Sequence, residues 1–196
     1  MIAKLAKSTA HFFVEKEIVS SEDEEVYVYG MELLFSTLFN IILAVIIGAV
    51  TSSMLETAIF LAAFISVRQC IGGYHAETHL GCISIFGVVL IAFAIIVKLT
   101  SDTFAIPISI ASAIISFILV LLFAPVEHPN KPLSDKEKSV LRKKGITLLS
   151  IISAIILILV IFPALRKYGM YISLGEVTSA VAMVCQKIKN CRNSSR

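Results

Sequence analysis

Long apolar runs leave this chain few ways to fold. Residues 31–50, 54–67, 82–97, 104–123, 146–162 and 170–184 are six stretches nearly free of charge. A helix of about 20 apolar residues spans the hydrocarbon core of a bilayer, and its internal hydrogen bonds leave no backbone group unpaired in lipid. The 196 residues are 57% hydrophobic and only 16% charged, against about 45–50% and about 25% in soluble domains. Mean hydropathy is +0.90. A chain this short cannot enclose such an excess, because much of its area still faces outward. The expectation is an all-α, polytopic transmembrane bundle, a single membrane domain over residues 1–196. Disordered, collagen-like, disulfide-stapled and ordinary soluble classes are excluded.

The runs differ in quality. Residues 104–123 form the clearest span. Residues 54–67 are short and carry Glu56, and 170–184 are weakest because they contain Glu176. Asn40 and Glu176 are candidates at membrane depth, where polar groups face the bundle interior and mark function or helix–helix bonding. Residues 1–20 read as an amphipathic helix, with Ile2, Leu5, Ala6, Phe12 and Phe13 against Lys4, Lys7, Glu15 and Lys16. Such a helix lies on the membrane surface or packs on the bundle. Breaks at Lys7, His11 and Glu15 argue against a signal peptide. Ser21 with Glu24 has the spacing of a capping box at the next helix.

Charge sorts the topology. Six crossings put both termini, residues 68–81 and the Pro-rich basic stretch 125–145 on one side. That side receives fourteen of the seventeen Lys and Arg residues, leaving Lys98, Arg166 and Lys167 opposite. The rule that basic loops stay inside makes that side cytoplasmic, with both termini there. Four full crossings, with 54–67 and 170–184 re-entrant or interfacial, is the second solution. The net charge of +3 thus reflects orientation and contact with membrane lipids, not nucleic acid, for which no basic platform rich in aromatics exists.

The chemistry concentrates in residues 68–82, RQCIGGYHAETHLGC. A connecting loop needs polar residues, but not two histidines and two cysteines. Cys82 falls at the first turn of a helix, where partial positive charge favours a thiolate nucleophile. His75 and His79 are both candidate bases. A straight helix would hold His75 about 10.5 Å from Cys82 along its axis, too far for proton transfer, so the chain must turn between them. Gly72, Gly73 and Gly81 allow that. Glu77 is placed to orient a histidine, and Arg68 to bind a headgroup, a substrate carboxylate or an oxyanion. Cys70 is an alternative nucleophile or a buried small residue. His75 and His79 with Cys82 or Glu77 also have metal-ligand character, so a metal-dependent membrane hydrolase is one rival reading. A peptide exporter or permease is another, weakened by the absence of an internal repeat. Lys131, Lys136, Lys138, Arg142, Lys143 and Lys144 offer positive charge for an acidic peptide or for anionic lipid.

Two stretches together resemble the accessory gene regulator protein B family: Arg68, Gly72, Gly73, His75, Thr78 and Cys82 in the first, and APVEHPNKPL at 124–133 in the second. The resemblance implies a bacterial plasma-membrane cysteine endopeptidase, with His75 and Cys82 as the catalytic pair and no cofactor. It implies a substrate: a small precursor peptide with an amphipathic helix and an acidic C-terminal tail. The tail is removed through an acyl-enzyme thioester, leading to a cyclic thiolactone or lactone used in quorum sensing. It also implies a homodimer. The second imidazole and thiol, His79 and Cys70, are additions that this chemistry does not require.

Overall fold

A computed structural model describes residues 2–74, 76, 78–127 and 133–194. Among the described residues seven α-helices follow in order: α1 (Ile2–Glu15), α2 (Glu24–Val50), α3 (Met54–Ile71), α4 (His79–Leu99), α5 (Asp102–Phe123), α6 (Asp135–Ile161) and α7 (Arg166–Ser194). The six from α2 to α7 are each long and apolar enough to cross a membrane. All six expected spans are therefore full-length helices, and the two doubtful ones are not truncated. The chain is an all-α polytopic membrane protein.

Short links make successive helices antiparallel. One end of the bundle collects the starts of α2, α4 and α6 and the ends of α3, α5 and α7. Residues 68–74 and 78–82 gather there with 124–127. Around α7 pack α3, α5 and α6, while α2 and α4 pair at one side, with α1 on α2. The helix that hydropathy ranks lowest is thus the most enclosed. Half of its apolar window is buried, against 17% for α2 and α4. A helix surrounded by protein need not be apolar all round, since its partners replace lipid.

Small residues set the close approaches. A Cβ on Gly175 would lie 2.6 Å from the Phe60 carbonyl oxygen, so α7 can sit on the α3 backbone only with glycine there. Ser179 Oγ then donates to the Phe64 carbonyl at 2.7 Å. Three buried serines on one face of α5, Ser109, Ser112 and Ser116, serve the same economy of volume. At the opposite end, Phe93 stacks on Phe60 and meets Tyr171 edge-on.

Several boundaries differ from expectation. α2 starts at Glu24, about two turns before the apolar run, preceded by a 3-10 turn at Ser21–Asp23. No capping box forms at Ser21; instead Ser20 Oγ donates to Asp23. α1 folds back on this early part of α2, burying Ile2, Ala6 and Ala10 and pairing His11 with Glu24 at 3.4 Å. Leu5 and Phe12 stay exposed, so the helix both packs and keeps an apolar edge. A capping box does form at Ser134 and Glu137. It starts α6 inside the basic stretch, so residues 135–145 are helical.

Candidate active site

The site begins with the end of α3. Arg68 Nη2 donates to the Tyr74 carbonyl at 2.6 Å, folding the chain back immediately after the helix. Its guanidinium also lies over the Phe64 ring, 5.5 Å from the centroid. Gly73 packs against the Arg68 side chain, where a Cβ would come within 2.9 Å of Nε. The sequence expectation of a turn at Gly72 and Gly73 is met, and its cause is visible. Gly72 has φ of +81°, in the region that favours glycine.

The second stretch closes on the first. The Val126 N–H donates to the Ile71 carbonyl at 3.0 Å, and the Val126 carbonyl oxygen takes the space that a Cβ on Gly72 would need. Residues 71–73 and 124–127, more than fifty positions apart, thus share one backbone bridge. Two side chains from other helices hold it. Arg142 of α6 donates to the carbonyls of Leu121 at 2.7 Å and Ala124 at 3.0 Å, capping the C-terminus of α5. Asn190 of α7 donates to the Glu127 carbonyl at 2.9 Å, while Gln186 donates to Asn190.

Cys82 sits in the first turns of α4. Thr78 caps that helix, accepting the Gly81 N–H at 3.1 Å, and the Cys82 N–H reaches the Thr78 carbonyl at 3.0 Å. The helix N-terminus therefore presents partial positive charge near the thiol. Arg68 and Cys82 lie within electrostatic reach of one another, which brings together a cation from α3 and a thiol from α4. His79 is engaged by α2, its Nε2 3.2 Å from Glu32. Cys70 faces α6, where Gly145 packs over its Cβ. All four cysteines are free of disulfides.

His75, Glu77 and Lys131 lie outside the described residues. Among the described residues, no group of three or more His, Cys, Asp or Glu side chains is placed to hold a metal ion. The basic residues divide. Lys138 pairs with Glu127 at 3.3 Å and Arg142 is used in capping. Lys136, Lys143 and Lys144 are exposed.

Sequence reading did not single out Glu32, Glu127, Gln186 or Asn190. For Glu127 a signal existed, since it is the one acid in APVEHPNKPL. Its carboxylate accepts the Leu133 N–H at 3.0 Å and faces Lys138, and these two interactions hold its pKa below the usual carboxylate range. A carboxyl with a depressed folded-state value stabilises the fold above its unfolded value, and that contribution disappears as pH falls through the folded one. Thermal unfolding of the wild-type protein in detergent is therefore expected to lose a component below about pH 4. Glu127→Gln is expected to lack that component and to be less stable at neutral pH. An unchanged acid limb in the variant would show that the staple contributes nothing.

With the geometry in place, the comparisons are specific. A family model described as Accessory gene regulator B matches residues 5–185. An AgrB-like protein of Clostridium perfringens strain SM101 is 31% identical over 180 residues, covering 89% of this chain and 81% of the relative. AgrB-like protein 2 of Clostridium perfringens strain 13 is 30% identical over 152 residues, covering 74% and 70%. Protein FsrB of Enterococcus faecalis is 26% identical over 118 residues, covering 60% and 49%. No solved structure matches the chain significantly.

Proposed function

The chain belongs to the accessory gene regulator B family, and from that premise we propose that it is a cysteine endopeptidase that removes the acidic tail of a small signal-peptide precursor. Membership gives it a role in peptide-precursor processing, and six membrane-length helices make it a multi-pass protein of the bacterial plasma membrane.

One observation carries it. Cys82 sits in the first turns of α4 behind the Thr78 cap, and Arg68 is fixed on the Tyr74 carbonyl at the end of α3. His75 follows Tyr74 directly in the chain. In the proposed reaction the Cys82 thiolate attacks the scissile carbonyl. His75 takes the thiol proton and returns it to the leaving amine. Glu77 orients that imidazole. Arg68 acts as a positioning residue and supplies positive charge beside the thiolate. His79, engaged with Glu32, is the weaker candidate base. The acyl group remains on Cys82 as a thioester until a second thiol or hydroxyl of the peptide displaces it, closing the ring. Tethering gives that internal nucleophile a large effective concentration over water.

Exposed Lys136, Lys143 and Lys144, together with Lys131, hold the acidic tail, while Lys138 and Arg142 tie the start of α6 to the end of α5 and Glu127. The site end carries most of the basic residues, which supports a cytoplasmic orientation for it and for both termini. The working form is a homodimer, by family.

Coexpression with a short precursor peptide that carries an amphipathic helix and an acidic C-terminal tail tests the reading. The expected products are a peptide shortened at its C-terminus, then a cyclised one, with a hydroxylamine-sensitive adduct on the protein. A precursor of unchanged mass, or cleavage that survives alkylation of every thiol, would overturn it.

A further inference from the structure

The buried face of α7 carries a group that the processing reaction does not use. Glu176 is 0% exposed, and neither of its carboxylate oxygens has a hydrogen-bond partner. The register of the surrounding helices locates it. Gly169 packs on Val160 and on the Ile156 carbonyl; carried along the antiparallel α6–α7 pair, that register puts Ser153 at the depth of Glu176. The Ser153 hydroxyl is also buried without a partner. Lys167 pairs with Asp102 at 3.1 Å, and the parallel α5–α7 register then sets buried Ser112 at the same level.

Compensating charge is distant. α6 has no charged residue after Lys144, α5 has only Asp102 at its start, and α3 has only Glu56 and Arg68 near its ends. On α7 itself the closest bases are Lys167 and Lys187, at least about 13 Å away along the axis. An ionised carboxylate enclosed without a partner is prohibitive, so a buried one is neutralised or bound to a cation.

We propose that Glu176 anchors a monovalent-cation site at the α5–α6–α7 interface, taking a proton or a sodium ion, with the Ser153 and Ser112 hydroxyls supplying further oxygens. One carboxylate and neutral hydroxyls balance a single positive charge; a divalent ion would leave a buried excess. The site explains how the least apolar helix can occupy the centre of the bundle. Farther along α7, Asn190, itself held by Gln186, donates to the Glu127 carbonyl, so seating α7 correctly also matters at the active site. The inference does not rest on the processing reaction.

The test uses the full-length protein in detergent with dicyclohexylcarbodiimide, which adds to protonated carboxyls in apolar surroundings. Infrared spectroscopy follows the carbonyl band of a protonated acid, and thermal unfolding is compared in sodium and choline chloride. A proton as occupant gives one adduct mapping to Glu176 and an acid band, both missing in Glu176→Gln, with no sodium effect. Sodium as occupant slows the labelling about tenfold or more and raises Tm, as ligand binding to the folded state requires. Both sodium effects are expected to vanish in Glu176→Gln. Wild-type protein showing no Glu176 adduct, no acid band and no sodium-dependent Tm would overturn the proposal, whether or not the variant folds.

Discussion

Cys82→Ala is expected to reduce precursor cleavage by at least about 10⁴-fold, the scale on which loss of a nucleophile acts when only binding and transition-state positioning remain. Membrane insertion and thermal stability should change little, because Cys82 is half-exposed at a helix start and its backbone N–H, not its side chain, holds the Thr78 carbonyl. Cys70→Ala provides the contrast. Its Cβ packs under Gly145 of α6, so truncating the side chain should cost about 1 kcal/mol of packing and leave the cleavage rate within about twofold, since it lies off the proposed reacting groups. Product mass, together with alkylation of the remaining thiols, reads both variants. Equal loss in the two would mean that a shared fold defect is being measured. Loss only in Cys70→Ala would move the nucleophile to α3.

The contrast also shows what a sequence can disclose. Six spans were legible because lipid-facing helices must be apolar, and residues 68–82 were conspicuous because loops do not need thiols and imidazoles. What hydropathy cannot weigh is a helix enclosed by other helices. Glu176 made 170–184 look the poorest span, yet α7 is the centre of the bundle, and its polarity is tolerated because protein surrounds it. Charge misleads in the opposite direction at α6. Asp135 to Lys144 resemble a solvated loop by composition, but Ser134 and Glu137 carry the helix-start signature, and the segment is helical from Asp135. At Ser21 a similar spacing produced no box, because the chain enters α2 through a 3-10 turn and Ser20 bonds Asp23 instead.

The site divides in the same way. Arg68 and Cys82 belong to one stretch, so their nearness was foreseeable. His79 was a rival base by spacing alone, and only the fold reveals Glu32 of α2 as its neighbour. Arg142 and Lys138 read as free positive charge, but their partners are the carbonyls ending α5 and the Glu127 carboxylate, which no local pattern announces. Asn190 reaches Glu127 from sixty-three positions away. Long-range backbone contacts of this kind have no signature in composition or periodicity.

Gly72 is the sharpest case, and its replacement has the second large expected effect. Two independent constraints meet there. Its φ of +81° penalises any side chain. A Cβ would also fall far inside contact distance of the Val126 carbonyl oxygen, and backbone cannot rotate aside as a side chain does. Gly72→Ala must therefore push 124–127 away from 71–73, at the cost of the Val126–Ile71 hydrogen bond, worth about 1 kcal/mol net. The larger consequence is geometric. Tyr74, and with it the Arg68 anchor, hangs from the displaced turn, and misplacing a catalytic group by about 1 Å costs about 10²-fold in rate. The expected result is a protein that inserts and binds precursor but cleaves it about 10²-fold more slowly, with kcat falling more than KM rises. Gly81→Ala is the control. Its added methyl would meet only the Thr78 hydroxyl at 3.0 Å and the Ala76 methyl at 3.2 Å, both side-chain atoms, so the loss should be several-fold smaller. Equal effects at the two glycines would mean that general flexibility of the segment, and not the Val126 bridge, sets the rate.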